Sequence, residues 1–255
     1  MSRFGHLEFD GQSGEQQPAK QVRSDEANCL ADARGYFEEG EFEKALRAYS
    51  KALEFNPESR GGWCGQVKAL IELGEFAEAA LWADKAMEQY PEDPELMSAK
   101  AVALARGGEL EEAIALSDVA IEQHGDTVYV WLARADVLLA RREKRAEYCL
   151  EKALTLARGD WVVSWLAARI RFYYHQFALA MKLIQGLLES HAGRPVLWVE
   201  LGACQYELGL GVAAERAFAQ ARQLKPGCVT RRRTHGRKPA WWQQFAAWWR
   251  QALSR

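Results

Sequence analysis

A chain of 255 residues, 49% hydrophobic and 27% charged, has an ordinary globular composition, long enough to bury a sizeable core as one elongated domain or two small ones. No apolar run reaches the ~18 residues of a membrane-spanning helix, the amino terminus lacks a signal-like apolar run, and the five scattered cysteines form no Cys-x-x-Cys pair. Reduced thiols in the cytoplasm, or at its membrane surface, are therefore expected, and the formal net charge of −2 hides an asymmetry: residues 227–255 hold seven Lys and Arg and no acid, which leaves the rest net acidic.

In chain order, residues 1–23 are rich in Gly, Gln, Ser and charge and read as a disordered leader, within which Phe4, Leu7 and Phe9 make a small apolar cluster. Helices are expected from Ser24 or Asp25, whose side chains can accept from the free amides of a first turn. Later starts are marked by Asp93 before Pro94, by Asp126 or Thr127, by Asp160 and by Pro195. No segment alternates with the period of a half-buried strand, so the fold is expected to be all-α.

A small residue recurs at Ala45, Ala79, Ala113, Ala146, Ala180 and Ala214, in steps of 34, 34, 33, 34 and 34, and a second at Ala52, Ala86, Ala120, Ala153 and Ala221, with Leu187 in the fifth unit. Such a period marks helical hairpins that hide one face against the next, here six of them, at about 26–59, 60–93, 94–127, 128–160, 161–194 and 195–227 within an array spanning 24–226. In the last, Gly202, Ala214 and Ala221 let two helices approach, Trp198 and Phe218 fill the space between them, and Pro226 stops the second helix. The fourth unit has one residue fewer in its internal turn, Arg141 to Arg145, where Gly40, Gly74, Gly108 and Gly209 mark others, so a local change of superhelical pitch is expected there.

This pattern resembles the tetratricopeptide repeat. The match is strongest in the second unit (Trp63, Gly74, Ala79, Ala86, Pro91) and the sixth, and good in the first (Gly40, Ala45, Tyr49, Ala52, Pro57). The family's leucine position carries Asp32, Gln66, Lys100 and Arg134 in the first four units, where neighbouring residues must make the contact instead. The resemblance implies a right-handed α-solenoid whose first helices line a concave groove. By the family's geometry, Leu132, Leu139, Trp165, Arg169, Phe172, Tyr173, Val199 and Tyr206 then form an aromatic groove for a partner peptide or helix, with Asp136 and Glu207 beside them; the earlier units contribute Leu30, Arg34, Lys68, Ile71, Ser98, Val102 and Arg106. The carboxylate clamp of some family members is absent, because its places read Leu30, Arg34, Gly65, Glu95 and Ala99.

Catalytic and metal chemistry find no footing. The five histidines are scattered, no glycine loop follows a strand, and the paired acids Glu38-Glu39 and Glu111-Glu112 beside turns read as solvated helix faces. No enzyme activity, cofactor, metal or small-molecule substrate is expected. The carboxyl-terminal stretch is distinctive: residues 228–238, with Arg231, Arg232 and Arg233, form a basic linker. From Pro239 to Ser254, Trp241, Trp242, Phe245, Trp248 and Trp249 share one arc of an amphipathic helix too short to stand alone in water. The expected function is a non-enzymatic scaffold or adaptor binding another protein. The alternative is a recruiting or regulatory subunit held at an anionic membrane surface by this tail, as a docking or capping element; the acidic body opposes nucleic-acid binding.

Overall fold

The structure, a computed structural model, describes residues 19–124 and 127–228. Phe4, Leu7 and Phe9, the cap assigned to Asp126, and the tail residues Arg231, Arg232, Arg233, Trp241, Trp242, Phe245, Trp248 and Trp249 lie outside the described residues. Among the described residues there are twelve α-helices and no strand. They pair in chain order as hairpins: α1 (Ala19–Glu38) with α2 (Phe42–Phe55), α3 (Arg60–Leu73) with α4 (Phe76–Gln89), and α5 (Pro94–Gly107) with α6 (Leu110–His124). The other three are α7 (Val128–Ala140) with α8 (Ala146–Leu156), α9 (Trp161–Tyr173) with α10 (Phe177–His191), and α11 (Pro195–Glu207) with α12 (Gly211–Leu224).

Local chemistry sets the helix ends. Ser59 accepts from the Gly62 amide, Asp93 from those of Glu95 and Leu96 ahead of Pro94, and Asp160 from that of Val162, each satisfying a donor that the helix itself cannot. Helix α1 starts at Ala19, not at Ser24 or Asp25: the stretch from Ala19 to Arg23 holds no glycine or proline to stop it, so the expected caps lie inside the helix. Thr127 precedes α7 without a side-chain cap bond. Within the hairpins the chain reverses through left-handed glycines, Gly40 at φ +73° and Gly74 at +79° among them. Arg142 (φ 59°) and His175 (φ 60°) take that conformation in the fourth and fifth hairpins, where the missing glycine costs roughly 1–2 kcal/mol each.

The periodic alanines are buried because they stand where helices cross. A Cβ on Gly65 would collide with the Tyr49 ring of the preceding hairpin, and one on Gly202 with the Phe218 ring of its own, so both crossings depend on a missing side chain. The charged departures at the leucine position have a structural role: Lys100 pairs with Asp84 at 2.8 Å and with Glu112 at 3.3 Å, and Arg134 with Asp118 at 2.5 Å. Each base reaches back to the second helix of the preceding hairpin, and Asp84 and Asp118 are themselves one period apart, so the two pairs stitch consecutive hairpins. The cysteines are all free; Cys64, Cys149 and Cys204 are buried, and Cys29 and Cys228 are half-buried.

The array also closes on itself. Phe42 and Phe37 of the first hairpin and Leu73 of the second share an apolar cluster with Trp165, Ile184, Val196, Leu197 and Leu201 of the last two. A contact between units so distant in the chain is additional to the neighbour-to-neighbour packing that defines a solenoid.

Candidate functional site

The inner face is built by the first helices of the hairpins, and its centre is filled by the chain's own side chains in three charged layers. In the first, Lys68 on α3 reaches Glu95 on α5 at 2.7 Å and lies 3.8 Å over the Tyr129 ring on α7. Burial pushes the Tyr129 hydroxyl well above its usual pKa, which keeps it neutral beside these charges.

In the second layer the Arg106 guanidinium donates to both oxygens of Asp136, at 3.1 and 2.5 Å, and the Tyr174 hydroxyl donates to the same carboxylate at 2.7 Å. Both charged side chains are almost wholly buried, at 5% and 2% exposure. Burial opposes the charge on Arg106, but the facing Asp136 and its hydrogen bonds outweigh it and hold the guanidinium protonated. Arg106 also lies 4.2 Å over Tyr173, whose ring meets Phe76 edge-on at 6.0 Å.

The third layer lies at the seam where the ends meet. Arg169 binds Glu72 of the second hairpin, Nε at 2.7 Å and Nη2 at 2.6 Å, and Glu200 of the sixth, with its guanidinium 4.7 Å over Phe42. Phe42 stacks on Trp165 at 6.1 Å and 13°, Phe37 meets it edge-on at 6.2 Å, and Trp161 stacks on it at 5.9 Å. At the rim, Lys225 pairs with Glu39 at 2.5 Å and with Glu41, while Arg194 reaches Glu38 at 3.7 Å. The hydrogen bonds to Glu39 and Glu41 raise the pKa of Lys225. Burial disfavours the Glu41 carboxylate, yet Lys225 and Lys44 overcome this and hold its pKa below the usual range.

Three expected groove residues are thereby reassigned. Trp165 is 0% exposed at the seam, not on an open wall, because the first hairpin's turn fills the space in front of it. Leu132 and Leu139, 2% and 7% exposed, belong to a buried cluster that joins Ala146, Leu150 and Ala153 of their own hairpin to Ala167 and Ile170 of the fifth. Arg169 is on the inner face but engaged by its two carboxylates. Phe172, Tyr173 and Val199 are half-buried, and Tyr206 is 51% exposed. Phe172 meets Phe177 edge-on at 5.1 Å. Glu38 and Glu39, read from sequence as a solvated face, are ion-pair partners of the last hairpin. Phe37, Phe42, Glu72 and Lys225 were missed as members of this surface. One signal was available for Phe37, which stands at the same repeat position as Phe172 and Tyr206.

Burial pushes the Cys64 thiol up to about 11 and the Cys204 thiol to about 12, far from a reactive thiolate, and among the described residues no group of His, Cys, Asp and Glu is arranged to hold a metal ion. Nor, among them, is any helix long and apolar enough to cross a membrane.

An all-helical array of stacked hairpins with a charged and aromatic inner face defines an α-solenoid of the kind used as a protein-interaction scaffold. Two tetratricopeptide repeat models match, over residues 30–94 and 70–137, and identify the hairpins there as tetratricopeptide repeats. Among solved structures it is similar to a tetratricopeptide repeat protein from Parabacteroides merdae, at 17% identity over 82% of this chain and 86% of that one with a TM-score of 0.51. It is also similar to a tetratricopeptide repeat protein of Thermus thermophilus, at 20% identity over 71% and 99% with a TM-score of 0.54. At these identities the likeness is one of fold. No curated protein matches the chain. Proteins of the family are in general non-enzymatic modules that bind other proteins or peptides.

Proposed function

We propose that this chain is a non-enzymatic scaffold that takes a peptide or helix of a partner protein along the inner face of its fifth and sixth hairpins. The observation that carries the reading is the strip of Phe172, Tyr173, Val199 and Tyr206, which stays half-open to open where the rest of the inner face is filled. Aromatic side chains are the composition of interface anchors, and three of these four are aromatic. Tyr206→Ala tests it, since a residue 51% exposed can be removed without opening a cavity. Partner capture should weaken by about 2 kcal/mol, roughly thirtyfold in Kd, while the melting temperature stays within about a degree or two of wild type. Unchanged capture would move the binding surface elsewhere.

A second reading concerns the tail. The outward face of α12 carries Gly211, Glu215 and Arg222 at the repeat positions that hold Phe42, Leu46 and Leu53 in the first hairpin. The same end of the array also exposes Val212, Leu210 and Leu224, so the tether reading rests on the composition of the tail itself. With Arg231, Arg232 and Arg233 next to four tryptophans, an anionic membrane surface fits, each base adding ~1 kcal/mol near it. The full chain should float with anionic vesicles at low salt and release as ionic strength rises, whereas a chain truncated after Cys228 should not float. Equal flotation of the two would end this reading.

A further inference from the structure

Among the described residues, four ion pairs across the seam run the same way: the acids Glu38, Glu39, Glu41 and Glu72 come from the first two hairpins, and the bases Arg169, Arg194 and Lys225 from the last two or the end of α12. The aromatic contact is equally one-sided, with Phe37 and Phe42 laid onto Trp165 and Arg194 stacked 3.8 Å over Trp161. The occupant is therefore a short turn, Phe37-Glu38-Glu39-Gly40-Glu41-Phe42-Glu43, seated on a basic and tryptophan-lined receptor. It fits closely, since a side chain on left-handed Gly40 would press on Val196.

Yet the fit is incomplete. The indole N–H of Trp165, wholly buried, meets no acceptor in the closed seam. A peptide backbone laid along the same surface would supply a carbonyl there. Opening the seam also leaves every neighbour-to-neighbour hairpin interface in place, because a solenoid can change curvature by small rotations shared over all its units.

We propose that the seam face of α9, α11 and the end of α12 is a docking site for an acidic, phenylalanine-bearing segment of a partner protein, with the chain's own turn 37–43 as its internal competitor. This rests on the scaffold reading but uses a different surface. Val196 and Tyr206 stand ten residues apart on α11, roughly 15 Å along the helix. A partner carrying the same chemistry displaces the turn, so that binding and opening are one event.

The test uses the full chain and, as probe, a fluorescein-labelled peptide with the sequence of residues 36–44, alongside a copy in which every Glu is Gln. Glu39→Lys with Glu41→Lys releases the turn and leaves the receptor intact; Arg194→Glu with Lys225→Glu releases it and reverses the receptor. Both should keep wild-type helicity and show a larger radius of gyration by X-ray scattering. Only the first should bind the probe at least tenfold tighter than wild type, with the Gln copy not bound and the affinity falling as salt rises. Phe42→Ala in place of the charge changes covers a seam held by stacking, and should likewise open and bind. Tyr206→Ala should leave probe binding untouched, so failure here and failure of the scaffold strip are separate results. The proposal is overturned if the released variants keep wild-type dimensions and affinity, if the reversed receptor binds as well as the intact one, or if the released chain doubles in mass by light scattering, which would make a second copy the occupant.

Discussion

Arg106→Ala should cost this protein ~3–5 kcal/mol, because it removes one partner of a buried ion pair and strands the other. Asp136 is 1% exposed and would keep only the Tyr174 hydroxyl as a donor. The carboxylate must then either stay charged without its counter-ion or take up a proton, and either route destabilises the fold. Replacing both partners with apolar residues, Arg106→Met with Asp136→Leu, should recover most of the loss, since the desolvation penalty disappears with the charges. The control is Arg145, exposed and paired with half-buried Glu143, where alanine should leave the unfolding midpoint essentially unchanged. Urea unfolding followed by far-ultraviolet circular dichroism reads all three, and the Arg106 change should move the midpoint down by about 1–2 M. A midpoint within error of wild type would mean that the pair adds nothing to the hold between the third and fourth hairpins.

The hairpins were legible in the sequence, and the shape of the inner face was not, for a definite reason. Periodic alanines report contacts within a hairpin and with its immediate neighbour, and those contacts recur in every unit, so Ala45, Ala79 and their successors disclose them. The seam is made once. Trp165 occupies the same repeat position as Leu132 and Val199, yet one packs on the first hairpin's turn, one lies in a core shared by the fourth and fifth hairpins, and one is half-buried. How far a solenoid curls is the sum of small rotations between units, and no single repeat encodes that sum. The charge pattern did hold a signal, in the acidic run from Glu38 to Glu41 and the isolated bases Arg194 and Lys225, but pairing residues more than 150 positions apart requires the curvature first. The leucine-position bases show the opposite case: Lys100 and Arg134 share a repeat position, and so do the carboxylates they meet, so their pairing could have been read from the period alone.

Trp165→Ala should be as damaging as the loss of Arg106 and should act over a longer distance. Truncating a fully buried tryptophan forfeits its transfer energy and leaves a cavity, ~3–5 kcal/mol in total. Here that cavity would open between α9 and the first hairpin's turn, where Phe42, Phe37 and Trp161 all rest on the indole. The ring also shares its cluster with Ile184, Leu197 and Leu201, so the loss should fall on the seam and on the junction of the last two hairpins. Amide exchange should speed up in residues 37–44 and 161–173 well before it changes in the third hairpin. Trp165→Phe keeps an aromatic face for Phe42 and should cost only ~1–2 kcal/mol. Were Trp165 a wall of an open groove, alanine would instead leave the melting temperature and exchange pattern unchanged and weaken only partner binding. Thermal unfolding together with residue-resolved exchange therefore separates a closed ring from an open solenoid, with a large drop in stability confined to the two ends as the expected result.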